Sequence, residues 1–410
     1  MRIAWLINLY PPYIVGGNEM LARDLVNALT ARGHEVHVLT ARGRDLPSQA
    51  TIHSVLNYSL DDKAELFLGG TLPTVSQLFR RHVFDPDTYR HTFRVVRQIK
   101  PDLIVVDNQY MASAAGLLAV RGAGCPVVAQ VADKWLRYLL WDLTLLLRPA
   151  KRWQKAVLSM YVKLVQPILR SRALPDHMIS ISNFIKRYYV EAGFPQQRVH
   201  AMYLGVDTSL YQARLIPHQG ENSLDVIFAG QLWEGKGPQV LVAALGLLRR
   251  QHPELDLRLR IIGTGTEAFQ NYLKEEILSQ GVQDRALLDG FIPTSKLAES
   301  LRQGDIFVFP STWEEPFSIT LVAAMASGIP VIATRTGGTP EALRDGVEGM
   351  LVPPNDAAAL AGAILRLARD PNLRQSLSDA AVTRAVAQWS FDAYVDRLEQ
   401  QYQQIVSTKQ

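Results

Sequence analysis

The sequence has little of several features that would place it in a special class of protein. It contains one cysteine, Cys125, in 410 residues, which excludes an internal disulfide and fits a reducing compartment. No run reaches the roughly 18 apolar residues that a membrane-spanning helix needs. Residues 1–13 lack the charged start, the apolar core and the small-residue cleavage site of a signal peptide. These absences predict a cytoplasmic protein.

The composition that remains is that of an ordinary globular protein. Hydrophobic residues make up 48% of the chain and charged residues 20%, which is enough apolar surface for a large core. The formal net charge of +4 is mildly basic, and it permits an anionic partner without identifying one. A chain of this length is expected to form about two domains.

Residues 305–352 form the most informative stretch of the chain. The pattern predicts a buried strand, a loop that carries Glu314 and Glu315, a helix beginning near Ser318, and a second buried strand at 331–334. Strand ends and helix starts that converge in this way suit a phosphate-bearing ligand, because free backbone amides and positive helix-dipole ends meet there. A carboxylate beside the helix start favours a site over an ordinary capped segment.

A second helix is predicted to follow this strand. Gly337 and Gly338 lead into it, with Thr339 as the N-cap and Pro340 as the first helical residue. Its N-terminus would add further backbone amides to the same crevice.

The beginning of the chain has a similar layout. A strand predicted at 2–8 is followed by Gly16 and Gly17 and then by a helix that ends near residue 32. A strand, a glycine loop and a helix in this order bring backbone amides close to a phosphate. Two adjacent glycines on their own are more often a turn than a site.

Three motifs together resemble family 4 retaining glycosyltransferases. They are E-P-F-S-x-x-x-x-x-A-M-A-S-G-x-P-V-I-A-T from Glu315 with the G-G-x-P-E that follows it, the glycine pair after Tyr10, and R-G-H-E-V-H-V-L-T at 32–40. The resemblance implies the GT-B architecture: two α/β, Rossmann-like doubly wound domains facing each other across a cleft, with a C-terminal helix that crosses back to the first domain. The implied parts are an acceptor-binding domain, a nucleotide-sugar-binding domain and the terminal helix: 1–207, 208–388 and 389–410.

The resemblance also implies a reaction and the residues that perform it. A sugar would pass from a nucleotide diphosphate-sugar to a glycan or lipid-linked glycan, with retention at the anomeric carbon and without a metal ion or other cofactor. Glu315 would hold sugar hydroxyls, Lys236 would bind the diphosphate as a point charge, and Asp133 is the third catalytic candidate. The candidate donor-binding positions are Gly16, Gly17, Gln231, Lys236, Gly263, Gly265, Phe317, Ser318, Ile319 and Thr320.

Three positions depart from the family pattern. The family's second glutamate falls on Ala323, the histidine of its His-Asp pair on Ala132, and its arginine before Lys236 on Gln231. All three fall where the family contacts the donor or the reaction centre. A second hypothesis is therefore a GT-B scaffold that binds a ligand or partner with little or no turnover.

A third hypothesis comes from residues 263–268, which fit the dinucleotide fingerprint G-x-G-x-x-A. An NAD-dependent oxidoreductase would place an acid about 20 residues later to bind the ribose, and Asp284 and Asp289 lie near that distance. A lone fingerprint is a weak signal, and the same glycines fit the base-binding loop of the family that the chain resembles. Glycosyl transfer is therefore the preferred hypothesis.

Two further segments have alternative interpretations. Asp85-Pro86-Asp87 has the spacing of a metal-binding Asp-x-Asp, but it lacks flanking apolar strands, so a turn is predicted. Residues 136–172 mix Leu, Trp and Tyr with Arg and Lys and contain one acid, Asp142. This composition predicts a basic amphipathic segment on the anionic inner face of the cell membrane, and the alternative is a pair of surface helices with outward basic side chains. Nucleic acid is not an expected partner.

Ala323 gives a testable prediction. A glutamate at this position can accept hydrogen bonds from the ribose hydroxyls, as it does in the family, whereas alanine accepts none. Hydrogen bonds to a charged acceptor contribute about 1.5–3 kcal/mol, so Ala323→Glu should tighten nucleotide-sugar binding by about ten- to a hundredfold. The donor Kd is measured for both proteins at equal salt, with thermal melts to confirm folding. Unchanged or weaker affinity in a folded variant would refute this placement.

Overall fold

The structure is a computed structural model that contains two compact units. One unit comprises Met1–Met202 with Val395–Gln410, and the other comprises Tyr203–Tyr394. Each unit has its own parallel sheet with helices, as the sequence predicts for two Rossmann-like domains. The residues that the structure describes are 1–13, 17–41, 50–56, 80, 84–109, 112–140, 152–213 and 223–408.

The first unit is built on a parallel sheet in the order β3-β2-β1-β4-β5-β6-β7. Its strands are β1 (Arg2–Leu6), β2 (Glu35–Ala41), β3 (Thr51–Leu56), β4 (Leu103–Val106), β5 (Val127–Val131), β6 (His177–Ser180) and β7 (Val199–Ala201). The described helices between them are α1 (Gly17–Ala31), α2 (Pro86–Ile99), α3 (Ala115–Arg121), α4 (Trp135–Leu140), α5 (Arg152–Ala173) and α6 (Asn183–Glu191). Every residue of β4 and β5 is buried, which explains why β4 is wholly apolar and β5 is apolar except for Gln130.

The second unit is built on a parallel sheet in the order β10-β9-β8-β11-β12-β13. Its strands are β8 (Ser223–Ala229), β9 (Asp256–Ile262), β10 (Ala286–Gly290), β11 (Ile306–Phe309), β12 (Val331–Thr334) and β13 (Met350–Val352). Its helices include α7 (Pro238–Gln251), α8 (Glu267–Ser279), α9 (Thr294–Gln303), α10 (Ile319–Ala326), α11 (Thr339–Ala342), α12 (Ala357–Arg369) and α13 (Pro371–Gln388).

The last helix, α14 (Phe391–Thr408), returns to the first unit, as predicted. Tyr402 is fully buried, and its hydroxyl donates to Gln130 Oε1 over 3.1 Å. Glu399 accepts from Arg32 over 3.0 Å and lies 3.0 Å from the His34 ring nitrogen Nε2. The buried Tyr402 thus ties α14 to β5 of the first unit, and the Glu399 contacts tie it to the turn between α1 and β2. His34 accordingly has a structural contact.

Two local features differ from the predictions. The helix predicted to be capped by Thr339 is only the short α11, and Thr339 is its first residue, because Gly338 is held at the N-cap by a 2.7 Å bond to the Glu315 carbonyl. Asp85 begins a helix where a turn was predicted. Its carboxylate caps α2 by accepting from the Thr88 amide over 3.0 Å, with Pro86 in the first turn.

Candidate functional site

Both sheets change their winding direction near the middle. In an open parallel sheet, the loops at the carboxyl ends of the two strands at this point diverge, and the crevice that they leave is where ligands bind. This switch point lies between β1 and β4 in the first unit and between β8 and β11 in the second. The loops that follow these strands carry most of the predicted site residues.

In the second unit, the switch point brings together Lys236 and Glu315. Lys236 follows β8, Glu315 follows β11, and the lysine Nζ donates to Glu315 Oε2 over 2.7 Å. Only 18% of the lysine side chain and 7% of the glutamate side chain are exposed. Water screens such a pair weakly, so the two charges interact more strongly than a surface pair. Two of the three predicted catalytic residues are therefore direct neighbours.

Glu315 is oriented by two further donors. Trp313 Nε1 donates to Oε2 over 2.8 Å, and the Ser311 hydroxyl donates to the same oxygen over 3.4 Å. Lys236 Nζ lies 5.7 Å from the centre of the Trp313 ring and 5.6 Å from that of Phe309, within cation–π range. No donor from the described part of the chain contacts the other oxygen, Oε1. The carboxylate is thus held through one oxygen and can accept a ligand hydroxyl through the other.

Two glycines let the surrounding loops approach backbone to backbone. Gly237 has φ +73°, and a Cβ there would lie 1.9 Å from the Pro310 carbonyl oxygen. Gly337 has φ +51°, and a Cβ there would lie 2.2 Å from the Glu315 carbonyl oxygen. Any other residue would push these loops apart. The loops after β8, β11 and β12 consequently form one rigid frame around the ion pair.

The N-terminus of α10 lies directly after Glu315 in the chain. Ser318 caps it by accepting from the Leu321 amide over 3.2 Å. Ile319 and Thr320 are partly exposed, and as the first helical residues their amides have no acceptor within the helix. The Phe317 ring packs against Trp389 with centroids 5.6 Å apart, so its side chain is structural. The donors available to a ligand here are the backbone amides.

The glycines of the dinucleotide fingerprint are required by the fold itself. A Cβ on Gly263 would lie 1.8 Å from the Gly230 carbonyl oxygen, and one on Gly265 would lie 1.9 Å from that of Leu232. The loop after β9 is also hydrogen-bonded to the loop after β8, since the Leu232 amide donates to Thr264 over 2.8 Å. These glycines therefore need no dinucleotide to explain them.

The two acids proposed for an NAD ribose are already engaged. Asp284 pairs with Arg249, and Asp289 pairs with Arg260 at 2.9 Å. Gln231, at the place of the family's arginine, is exposed.

The first unit gathers carboxyl groups at its own switch point. Asp107 follows β4, Asp133 follows β5, and Glu19 lies in the first turn of α1. Asp133 Oδ1 accepts from the Trp135 amide over 2.7 Å, and Oδ2 accepts from the Asn18 side chain over 3.5 Å. No group of three or more His, Cys, Asp or Glu side chains in the described ranges is arranged to hold a metal ion.

Burial raises the pKa of two of these acids, Asp107 and Asp133. It raises the pKa of Asp107 to about 7; the Asn108 amide opposes this rise, and the carboxylates of Asp133 and Glu19 add to it. Burial also raises the pKa of Asp133, against the hydrogen bonds from Trp135 and Asn18. Asp107 and Glu19 are not among the site residues that the sequence predicts. The available signal for Asp107 was an acid directly after a continuous apolar strand.

The remaining predicted positions differ in their exposure and in the space around them. Gly16 lies outside the described residues. Gly17 begins α1, and a Cβ there would meet nothing within 4 Å, so the space beside it is open. Ala132 is partly exposed, whereas Ala323 is only 1% exposed. A glutamate at 323 would have to extend past the preceding turn to reach solvent, so the predicted gain in affinity comes with a burial cost that the melts will measure.

Two family models match the chain, one in each half. Residues 15–210 match Glycosyltransferase Family 4, and residues 215–384 match Glycosyl transferases group 1. Each half of the chain thus matches a glycosyltransferase family model. The two models together span most of the sequence, as the motifs in both halves predict.

The individual relatives that the chain resembles are also glycosyltransferases. D-inositol 3-phosphate glycosyltransferase of Arthrobacter sp. (strain FB24) is 38% identical over 160 residues, covering 39% of this chain and 38% of the relative. That match spans well under two thirds of the relative's length. MMP alpha-(1->4)-mannosyltransferase of Mycolicibacterium hassiacum is 26% identical over 425 residues and covers 99% of both chains.

A solved structure confirms the fold. The Anabaena protein HepE, crystallised in complex with UDP, has a TM-score of 0.69 to this chain at 18% identity, covering 98% of this chain and 100% of that one. The predicted GT-B class is therefore correct.

The raised pKa of Asp107 predicts that stability depends on pH. Because the folded-state pKa of about 7 lies above the ordinary value of 3.8, folding takes up a proton between these values, and stability falls as the pH rises through them. Asp107→Asn removes this titration. Its free energy of unfolding should improve relative to wild type by about 2–3 kcal/mol between about pH 5 and about pH 8.

Urea unfolding at both pH values measures this difference, with Asp24→Asn on α1 as the control, because the Asp24 side chain is 46% exposed. The control should show no such improvement. Parallel pH dependences for wild type and Asp107→Asn would contradict the prediction.

Proposed function

We propose that this chain transfers a sugar from a nucleotide diphosphate-sugar to an acceptor, with retention of configuration at the anomeric carbon. The observation that carries the proposal is the buried pair of Lys236 and Glu315 at the switch point of the second sheet, joined over 2.7 Å. The pair offers a cation for the diphosphate and an anion for sugar hydroxyls, which are the two groups that such a donor presents together.

Donor binding would divide the pair between two parts of the ligand. Lys236 would give up its bond to Glu315 and bind diphosphate oxygens, assisted by the amides of Ile319 and Thr320 at the start of α10. Glu315 would stay fixed by Trp313 and accept from a sugar hydroxyl through Oε1. The UDP bound to the HepE structure supports a nucleotide-bearing donor of this class.

The proposed reaction needs stabilisation of the leaving group above all. The bond between the anomeric carbon and the diphosphate oxygen breaks, and its electron pair stays on the diphosphate. The acceptor oxygen bonds to the same face of the carbon, and its proton passes to the departing phosphate oxygen. Lys236 and the helix amides stabilise the negative charge that develops, in a site with little water.

The first unit would bind the acceptor. Asp133, Asp107 and Glu19 can accept hydrogen bonds from hydroxyl groups, which suits a glycan or a lipid-linked glycan. Asp133 stays a proposed catalytic residue on this ground. We place the reaction in the cytoplasm, where nucleotide sugars and reduced cysteine are both expected.

A scaffold without turnover is the second candidate. It is favoured by the departures at Ala132, Gln231 and Ala323, since an alanine at 323 supplies no acid at the proposed ribose position. The oxidoreductase hypothesis has lost its particular support, because the fold accounts for Gly263 and Gly265 and both candidate acids have arginine partners.

Lys236 provides the test of the proposal. Lys236→Met keeps the length of the side chain and removes its charge, so kcat/KM for nucleotide-sugar turnover should fall by about a hundredfold or more. Lys274→Met, at an exposed lysine on α8, is the matched control and should keep the wild-type rate. A panel of UDP- and GDP-sugars is assayed, and NMR of the product gives the anomeric configuration. A folded Lys236→Met with the wild-type rate, or an inverted product, would contradict the proposal.

The reaction should also proceed without a metal ion, because Lys236 supplies the positive charge at the diphosphate. Initial rates in excess EDTA should equal those with added magnesium or manganese. Loss of activity with the chelator and its recovery with metal would overturn this part of the proposal.

A further inference from the structure

One face of α5 exposes a row of large apolar side chains. Trp153, Met160, Leu164 and Ile168 are 62%, 64%, 67% and 60% exposed. Their spacing of seven, four and four residues places them on one side of the helix, and we call this row the apolar stripe. Leu169 and Ala173, which are 4% and 0% exposed, hold the helix to its unit by the opposite side.

Basic residues flank the apolar stripe on both sides. At about 100° per residue, Lys163 and Arg170 lie along one edge and Arg172 along the other. All three side chains are exposed. The 22 residues of α5 include no Asp or Glu. The helix therefore presents a ridge of apolar groups between two cationic borders.

We infer that the apolar stripe docks the protein on an anionic membrane surface, with α5 lying in the plane of the headgroups. At 1.5 Å per residue the stripe is about 22 Å long, and helices of this kind bury their apolar face by about 5–10 Å. The flanking cations would then lie at the level of the lipid phosphates, and Trp153 at the interface that tryptophan favours.

The charges beside the apolar stripe indicate whether a second copy of the chain or a lipid surface covers it. A second copy that packed its stripe against this one would bring two sets of cations together, with no acid on either helix to neutralise them. A continuous layer of phosphates with hydrocarbon beneath it complements both the cations and the stripe. Docking is a property of this helix and does not depend on the proposed glycosyl transfer.

The structure narrows the segment that the sequence predicts for this role. In α4, the side chains of Trp135, Leu136, Leu139 and Leu140 are buried, so this part of 136–172 belongs to the core. Residues 141–151, with Lys151, lie outside the described residues. No described helix is long and apolar enough to cross a membrane. Among the described residues of 136–172, the docking element is therefore α5.

Vesicle sedimentation with the full chain tests the apolar stripe. Phosphatidylcholine vesicles are compared with vesicles in which about a third of the lipid is phosphatidylglycerol, at low salt. Wild type should bind the anionic vesicles only. Met160→Ser/Leu164→Ser/Ile168→Ser should bind at least about tenfold more weakly. The control Leu278→Ser/Leu287→Ser/Phe291→Ser changes three side chains of the second unit that are 63%, 57% and 79% exposed, and it should bind as wild type does.

The cationic borders are tested in the same assay. Lys163→Glu/Arg170→Glu should weaken binding at least about tenfold, and added salt should weaken the wild type in parallel. Lys274→Glu/Lys296→Glu is the charge control in the second unit. Three results would overturn the inference: no sedimentation of wild type with anionic vesicles, wild-type binding by the stripe variant, or a dimer in sedimentation velocity that the stripe variant abolishes.

Discussion

The loops at the switch point of the second unit depend on the buried ion pair of Lys236 and Glu315, whose charges need partners because they are shielded from water. Removing Lys236 and Glu315 from water is costly, and their attraction offsets that cost only when other hydrogen bonds complete the geometry. Trp313 and Ser311 provide those bonds, and Gly237 and Gly337 provide the close backbone approach that holds the loops in place. A ligand that brings both a diphosphate and hydroxyl groups can replace each charge's partner, which is why we propose this pair as the donor site.

The first unit meets a different constraint at the equivalent place in its sheet. Among the described residues, neither Asp107 nor Asp133 forms an ion pair with an arginine or lysine, and burial raises the pKa of both. One switch point thus carries a compensated pair, and the other carries Asp107, whose pKa burial raises to about 7, together with Asp133, whose pKa is also raised. This difference in charge supports our proposal that the donor binds to one unit and a hydroxyl-rich acceptor to the other.

The strands and helix caps could be predicted from the sequence because they depend on residues close together in the chain. Buried parallel strands such as β4 and β11 appear as continuous branched apolar runs, and Ser318 caps its helix at the expected residue. The rest depends on contacts between residues far apart in the chain. The bond from Lys236 to Glu315 spans 79 residues, and the close approach of Gly263 to Gly230 looks in sequence like a nucleotide fingerprint. The apolar stripe could not be separated from the core residues of α4 by composition, since each helix contains one Trp and three Leu.

Calorimetric titration of the full chain with a panel of UDP-, GDP- and ADP-sugars and with NAD tests the donor site most directly. A site built on Lys236 and Glu315 predicts that a nucleotide sugar binds, that Lys236→Met loses this binding while remaining folded, and that NAD gives no binding heat. Binding of NAD without any nucleotide sugar, or nucleotide-sugar affinity that is unchanged in folded Lys236→Met, would contradict it.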